Sequence, residues 1–144
     1  MIMMSTEKKL NIILFYPALV ELVRFAVFNF MGSAFAQTGF LDKLTFAITM
    51  ALYAWVGWRT WVFVQGGFKM VLSAAFLYSL FLLVLSSLAV VFNLGGQSEA
   101  TSVTFLEAVP GLIISFVLFY LPVALLVTLV SWYVSKKFSL RRAD

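Results

Sequence analysis

Four apolar stretches, about Leu10 to Phe35, Leu44 to Val64, Met70 to Phe92 and Pro110 to Val134, follow one another with short polar breaks between them. Each is long enough to cross a bilayer, since a spanning helix needs roughly 20 residues at a rise of about 1.5 Å per residue. In hydrocarbon no water satisfies a backbone N–H or C=O, so each stretch must bond within itself as a helix, and open sheets are excluded. Composition agrees: 63% of the residues are hydrophobic and 11% charged, against roughly half and a quarter in soluble domains. A water-soluble globule of this size would leave large apolar patches exposed. The expected fold is an all-α integral membrane protein, a bundle of four transmembrane helices. It forms one membrane domain over residues 1–144, with its longer extramembrane loop at 93–109.

Orientation follows from the basic residues near the span ends. Lys8 and Lys9 precede the first stretch, Lys69 lies between the second and third, and Lys136, Lys137, Arg141 and Arg142 follow the fourth. On the other side the first loop offers Lys43 beside Asp42, and the long loop carries Glu99 and Glu107 with no basic residue. Both termini are therefore expected in the cytoplasm, and the membrane is expected to be the cytoplasmic, inner or plasma, membrane. The net charge of +4 is explained by this flanking pattern. No basic face interleaved with aromatics is available to track a phosphate backbone, so nucleic acid is not an expected partner.

The breaks carry turn chemistry. Gln65-Gly66-Gly67 and Asn93 to Ser98 supply residues that tolerate positive φ at helix ends. Thr104-Phe105-Leu106-Glu107 has capping-box spacing, and Pro110 either begins the fourth membrane helix or bends a short interfacial turn into it. Pro122 should kink that helix near mid-bilayer. Lys8-Lys9, an apolar stretch and Ala34-Phe35-Ala36 before Gln37 imitate a cleavable signal peptide. The stretch is longer than a signal core of 7–15 residues and is interrupted by Glu21 and Arg24, so the first helix is expected to be retained.

With no cysteine and no histidine in the chain, thiol redox chemistry, disulfides, iron–sulfur ligation, ordinary zinc sites and imidazole catalysis are out of reach. Neither a metal nor a cofactor is expected. Six acids are scattered, Glu21 alone lies well inside a span, and no Ser or Thr has an evident base beside it, so the chain is not expected to be an enzyme.

The informative polar groups are Glu21, Arg24 and Arg59. A charge at mid-span costs roughly 2.5–3.5 kcal/mol on an insertion scale, so Glu21 and Arg24 ought to have partners. Their i, i+3 spacing puts them on one helical face, where they can pair as a structural clasp or as an ion, proton or substrate contact. Arg59 lies roughly 9 Å of helix rise from Gln65, one turn from Trp55 and Phe63. It can serve as a snorkelling anchor or as a ligand contact, with aromatic stacking available to it. Trp55, Trp58 and Trp61 form a stripe that reads as part of an interfacial aromatic belt with Trp132 and Tyr133, or else as a stacking platform for a planar ligand. Ala75 with Ser79, Ser86 with Ser87, and Gly111 with Ser115 provide small residues for close helix packing.

These features carry two expectations. The first is a small structural or accessory protein of the bilayer that acts through helix packing, in a homo-oligomer or a larger membrane complex. The second is a minimal transporter or flippase with Glu21, Arg24 and Arg59 along a polar path. Arg24-Phe25, Arg59-Thr60-Trp61-Val62-Phe63 and Tyr133-Val134-Ser135-Lys136-Lys137-Phe138 resemble stretches of the GtrA-like small membrane proteins. That resemblance implies a four-helix protein that moves polyprenyl-linked sugars. In that family the Arg-Phe pair comes near the start of the first span, whereas here it follows a long apolar run.

Overall fold

The computed structural model describes residues 5–31, 40–91 and 105–140, with side chains described over 5–27, 43–89 and 110–139. Ala34 to Gln37, Asn93 to Ser98, Thr104, Arg141 and Arg142 lie outside the described residues. The described residues are helical with no strand: α1 Thr6–Met31, α2 Phe40–Val62, α3 Phe68–Val91, α4 Phe105–Ser115, a π-helical segment Phe116–Tyr120, and α5 Leu121–Leu140. Among them, three segments are long and apolar enough to cross a membrane: Thr6–Val27, Phe68–Ala89 and Pro110–Ser139. Helix α2 has 23 residues, about 34 Å at helical rise, but Tyr53, Trp55, Gly57, Trp58, Arg59, Thr60 and Trp61 dilute its apolar character.

The fourth apolar stretch is a continuous helical rod that begins at Phe105. Pro110 therefore sits inside α4, and residues 105–109 of the expected loop are already helical. Near Pro122 the rod widens locally: the Leu121 N–H donates to the Phe116 carbonyl, a five-residue reach. Proline brings no N–H to the turn before it, and a π turn redistributes the remaining donors.

Cross-helix contacts give the arrangement. Thr49 meets Glu21 and Arg59 meets Ile12, so α2 runs antiparallel to α1. Ser131 reaches the Ala54 carbonyl and Trp61 reaches Ser139, so α2 and α5 run in the same direction. Helices α2 and α5 form the most extensive interface, while α1 and α5 lie on opposite sides of the α2–α3 pair. The close approach of α2 to α5 is made at Gly57, where a Cβ would lie 2.2 Å from the Thr128 carbonyl oxygen. Gly111, by contrast, faces open space.

The inward stripes have helical spacing: Ile13, Pro17 and Glu21 on α1; Thr49, Tyr53, Val56 and Thr60 on α2; Val71, Ala74, Ala75, Tyr78, Ser79 and Leu82 on α3; Ala124 and Thr128 on α5. Five polar or charged residues, Glu21, Thr49, Thr60, Ser79 and Thr128, are buried among the apolar core, while many large apolar side chains point outward, Phe119 being 74% exposed. That distribution suits a hydrocarbon solvent, in which helices associate through small and hydrogen-bonding residues. Buried Thr60, Thr128 and Ser79 donate their hydroxyls to the carbonyl four residues back, which satisfies each proton within its own helix.

The turn between α2 and α3 falls at Gln65-Gly66-Gly67. Gln65, not a glycine, takes the left-handed conformation, with φ 49°. Its N–H donates to the Trp61 carbonyl at 2.9 Å and that of Gly66 to the Thr60 carbonyl at 2.8 Å, closing the end of α2. Gly66 is needed for space: a Cβ there would come within 2.8 Å of Thr60 Cγ2 and 2.9 Å of Met70 Sδ.

Candidate functional site

The polar centre of the bundle is built around Glu21, which is fully buried. One turn further along α1, Arg24 donates from Nε to Glu21 Oε2 at 2.5 Å. The i, i+3 spacing and the rigid α1 backbone preset this pair. Two other helices complete the carboxyl group's environment. Tyr78 of α3 donates its hydroxyl to Oε1 at 3.0 Å. Thr49 Oγ1 of α2 lies 3.1 Å from Oε1 and 3.0 Å from the Thr45 carbonyl, its one proton serving either acceptor. Three helices thus meet at one carboxyl group.

Beside it runs a second pair. Tyr53 and Ser79 oxygens are 2.6 Å apart. Ser79 donates its proton to the Ala75 carbonyl, so Tyr53 is the donor between them. The Tyr53 ring packs edge-on against Tyr78 at 4.7 Å and Tyr120 at 6.1 Å. Among the described residues, no buried side-chain nitrogen or oxygen lacks a hydrogen-bond partner. The arrangement can hold a charge pair in a low-dielectric interior, because each oxygen of the carboxyl group has a donor. Arg24 keeps its side chain 24% exposed, so the cationic end of the pair retains access to the outside of the bundle.

Arg59 stands apart from this centre. It lies ten residues beyond Thr49 on α2, roughly 15 Å along the axis. Its Nε donates to the Ile12 carbonyl of α1 at 3.2 Å, and its guanidinium carbon sits 4.2 Å from the Phe63 ring centre, 4.7 Å from Trp55 and 5.2 Å from Tyr16. The three tryptophans diverge as well. Three-residue steps on an α-helix turn by about −60°, so Trp55 and Trp61 are separated by about 120° around α2. Trp55 faces α1 with Arg59, Trp58 is exposed and packs edge-on against Phe63, and Trp61 faces α5. There Trp61 donates to Ser139 at 2.5 Å, Trp132 donates to the Gly66 carbonyl at 3.0 Å, and Lys136 lies 5.5 and 5.3 Å from the two indoles. This cluster ties the end of α5 to the α2–α3 turn.

Two grooves open on the bundle's sides. One, of about 510 Å³, lies between α1 and α2 and is lined by Tyr16, Pro17, Val20, Leu52, Trp55 and Arg59. The other, of about 570 Å³, is lined by Phe46, Ser86, Gly111, Ser115, Phe116 and Tyr120 among others and carries no charged residue.

Sequence reasoning singled out Glu21 and Arg24 but not Tyr78, Thr49, Tyr53 or Tyr120. A usable signal was present: hydroxyl groups near the midpoints of apolar runs, at depths matching an acid that requires donors. Pro17 and Gly57 were also passed over, although Pro17 is fully buried on the inward stripe of α1 and Gly57 sets the α2–α5 distance.

Fold and site together define an all-helical protein with an apolar exterior and a buried, hydrogen-bonded ion pair. No protein-family model, curated protein or solved structure matches the chain. The similarity to GtrA-like proteins therefore rests on the three short stretches alone.

Proposed function

We propose that the chain is a four-span membrane protein with both termini in the cytoplasm and with a structural or accessory, non-catalytic role. On this reading the Glu21–Arg24 pair is a clasp that sets the mutual positions of α1, α2 and α3. The observation that carries it is the closure of the centre: Arg24, Thr49 and Tyr78 engage both carboxyl oxygens. The apolar exterior supports association with lipid and with further copies of the chain or other membrane proteins. Helix α2 joins as the fourth span because its length matches the others and because Trp61, Trp132 and Lys136 anchor it at the same level as α5.

A second reading, a minimal transporter or flippase, draws on Tyr120. This residue lines the uncharged groove and packs through the Tyr53 ring against Tyr78, which donates to the buried acid. The two readings separate in reconstituted vesicles. Purified protein should leave solute flux and the flip-flop of fluorescent lipids at the level of empty vesicles, while running as a defined oligomer or complex in mild detergent. Flux or flip-flop abolished by Glu21→Gln in a protein that still folds would replace the structural reading with the transport one.

A further inference from the structure

We infer that the groove between α1 and α2 is a binding site for one anionic glycerophospholipid, with Arg59 taking the phosphate and the groove taking an acyl chain. The inference goes beyond the structural role proposed above and depends on neither that role nor the transport alternative.

The groove has a cation at one end and apolar walls along the rest. Arg59 belongs to the last turn of α2, close to the turn between α2 and α3 and level with the Trp61, Trp132 and Lys136 cluster, where headgroups meet the hydrocarbon. From there the walls run inward along the bundle by Trp55 and Leu52 on one side and Tyr16, Pro17 and Val20 on the other. Seven residues separate Arg59 from Leu52, a depth of roughly 10 Å. Pro17, buried on the inward stripe of α1, forms part of the α1 wall.

The state of the guanidinium points to an anion. Its Nε is held by the Ile12 carbonyl, and three aromatic rings lie within 5.2 Å of its central carbon. Among the described residues no carboxylate pairs with it, the acidic partner of the interior, Glu21, being bound to Arg24. A guanidinium that is stacked and tethered by one nitrogen presents its remaining donors in a fixed fork, the geometry that suits phosphate oxygens. A zwitterionic lipid brings its own cation to the same place; an anionic one does not. The uncharged groove serves as an internal comparison, having similar volume and no cation.

Trp55 lines the charged groove and reports on it. The test uses full-length protein with Trp58, Trp61 and Trp132 changed to Phe, reconstituted in vesicles of equal parts phosphatidylglycerol and phosphatidylcholine. One lipid or the other carries brominated acyl chains, which quench indole fluorescence on contact. The expected result is about fivefold stronger association of brominated phosphatidylglycerol than of brominated phosphatidylcholine with Trp55, the size of effect one interfacial cation exerts on an anionic lipid. Arg59→Gln should reduce the ratio to near one, while Lys136→Gln, at the same end of the bundle but away from the groove, should leave it unchanged. Equal quenching by the two lipids overturns the inference, and so does a preference that falls equally with Lys136→Gln, because general surface attraction would then account for it. If Arg59→Gln does not fold, Val20→Phe fills the groove with Arg59 in place. Loss of the preference in that variant supports the site, and its persistence overturns it.

Discussion

At the residue scale the buried carboxyl group of Glu21 concentrates the energetic risk of the fold. Removing one partner of a buried pair costs about 3–5 kcal/mol when the other is left uncompensated, but the two removals are not equivalent here. Arg24→Ala leaves a carboxyl group that still has Tyr78 and Thr49 as donors, and a carboxyl group can be neutralised by a proton. Glu21→Ala leaves a guanidinium that cannot lose its charge and a Tyr78 hydroxyl with no acceptor. Glu21→Ala should therefore lower the unfolding free energy more than Arg24→Ala, with Arg24's partial exposure holding the loss near the lower end of that range. In an SDS-titration double-mutant cycle the pair should couple by at least about 1 kcal/mol; additive effects would show that the two side chains do not meet in the membrane. Tyr78→Phe should cost about 1.5–3 kcal/mol in the same assay, the value of one hydrogen bond to a charged group.

At the element scale two glycines with the same chemistry should respond in opposite ways. Gly57→Ala places a methyl group against the Thr128 backbone, so α2 and α5 must separate along their largest interface. A loss of about 1–3 kcal/mol is expected, typical of overpacking. Gly111→Ala meets nothing and should be neutral or stabilising by up to about 1 kcal/mol through helix propensity. The α2–α3 turn offers a third case. Because Gln65 occupies the left-handed region, Gln65→Gly should stabilise by up to about 1 kcal/mol, read as a higher SDS midpoint. An unchanged or lower midpoint would indicate that the Gln65 side chain contributes something that outweighs the backbone strain.

For the molecule as a whole, the predictions concern how the bundle lies in the bilayer. Hydroxyl groups and the Glu21 carboxyl are buried beside the apolar core while Phe15, Phe76, Phe119 and Leu126 face outward, an exterior unlike that of a soluble bundle, and Lys8, Lys9, Lys69, Lys136 and Lys137 gather at one end. A cysteine introduced at Gln97 should react with an impermeant reagent from outside the cell, and cysteines near either terminus should not. Intact mass should show that the chain keeps its first helix; a mature protein beginning at Gln37 would leave three spans. The exposed aromatic surface also means that the isolated protein should require detergent or lipid throughout purification.

How far the sequence reaches can be judged from particular residues. Apolar run length and the backbone's need for internal hydrogen bonds determined that the chain is helical, because hydrocarbon allows no other solution for a single run. Local periodicity likewise determined that Glu21 meets Arg24 and that Arg59 lies beside Trp55 and Phe63, since contacts three or four residues apart need only a helix. The tertiary structure decided which helices supply the remaining donors. Tyr78 is 57 residues from Glu21 and Thr49 is 28, and their meeting depends on the relative rotation and depth of α1, α2 and α3. It also decided that Arg59 lies away from Glu21, on a groove with Tyr16, and that Gly57 rather than Gly111 is the point of closest helix approach. In lipid the apolar faces are nearly interchangeable, so rotation is chosen by small residues and hydrogen-bonding groups on opposing helices, a choice that only the assembled bundle makes.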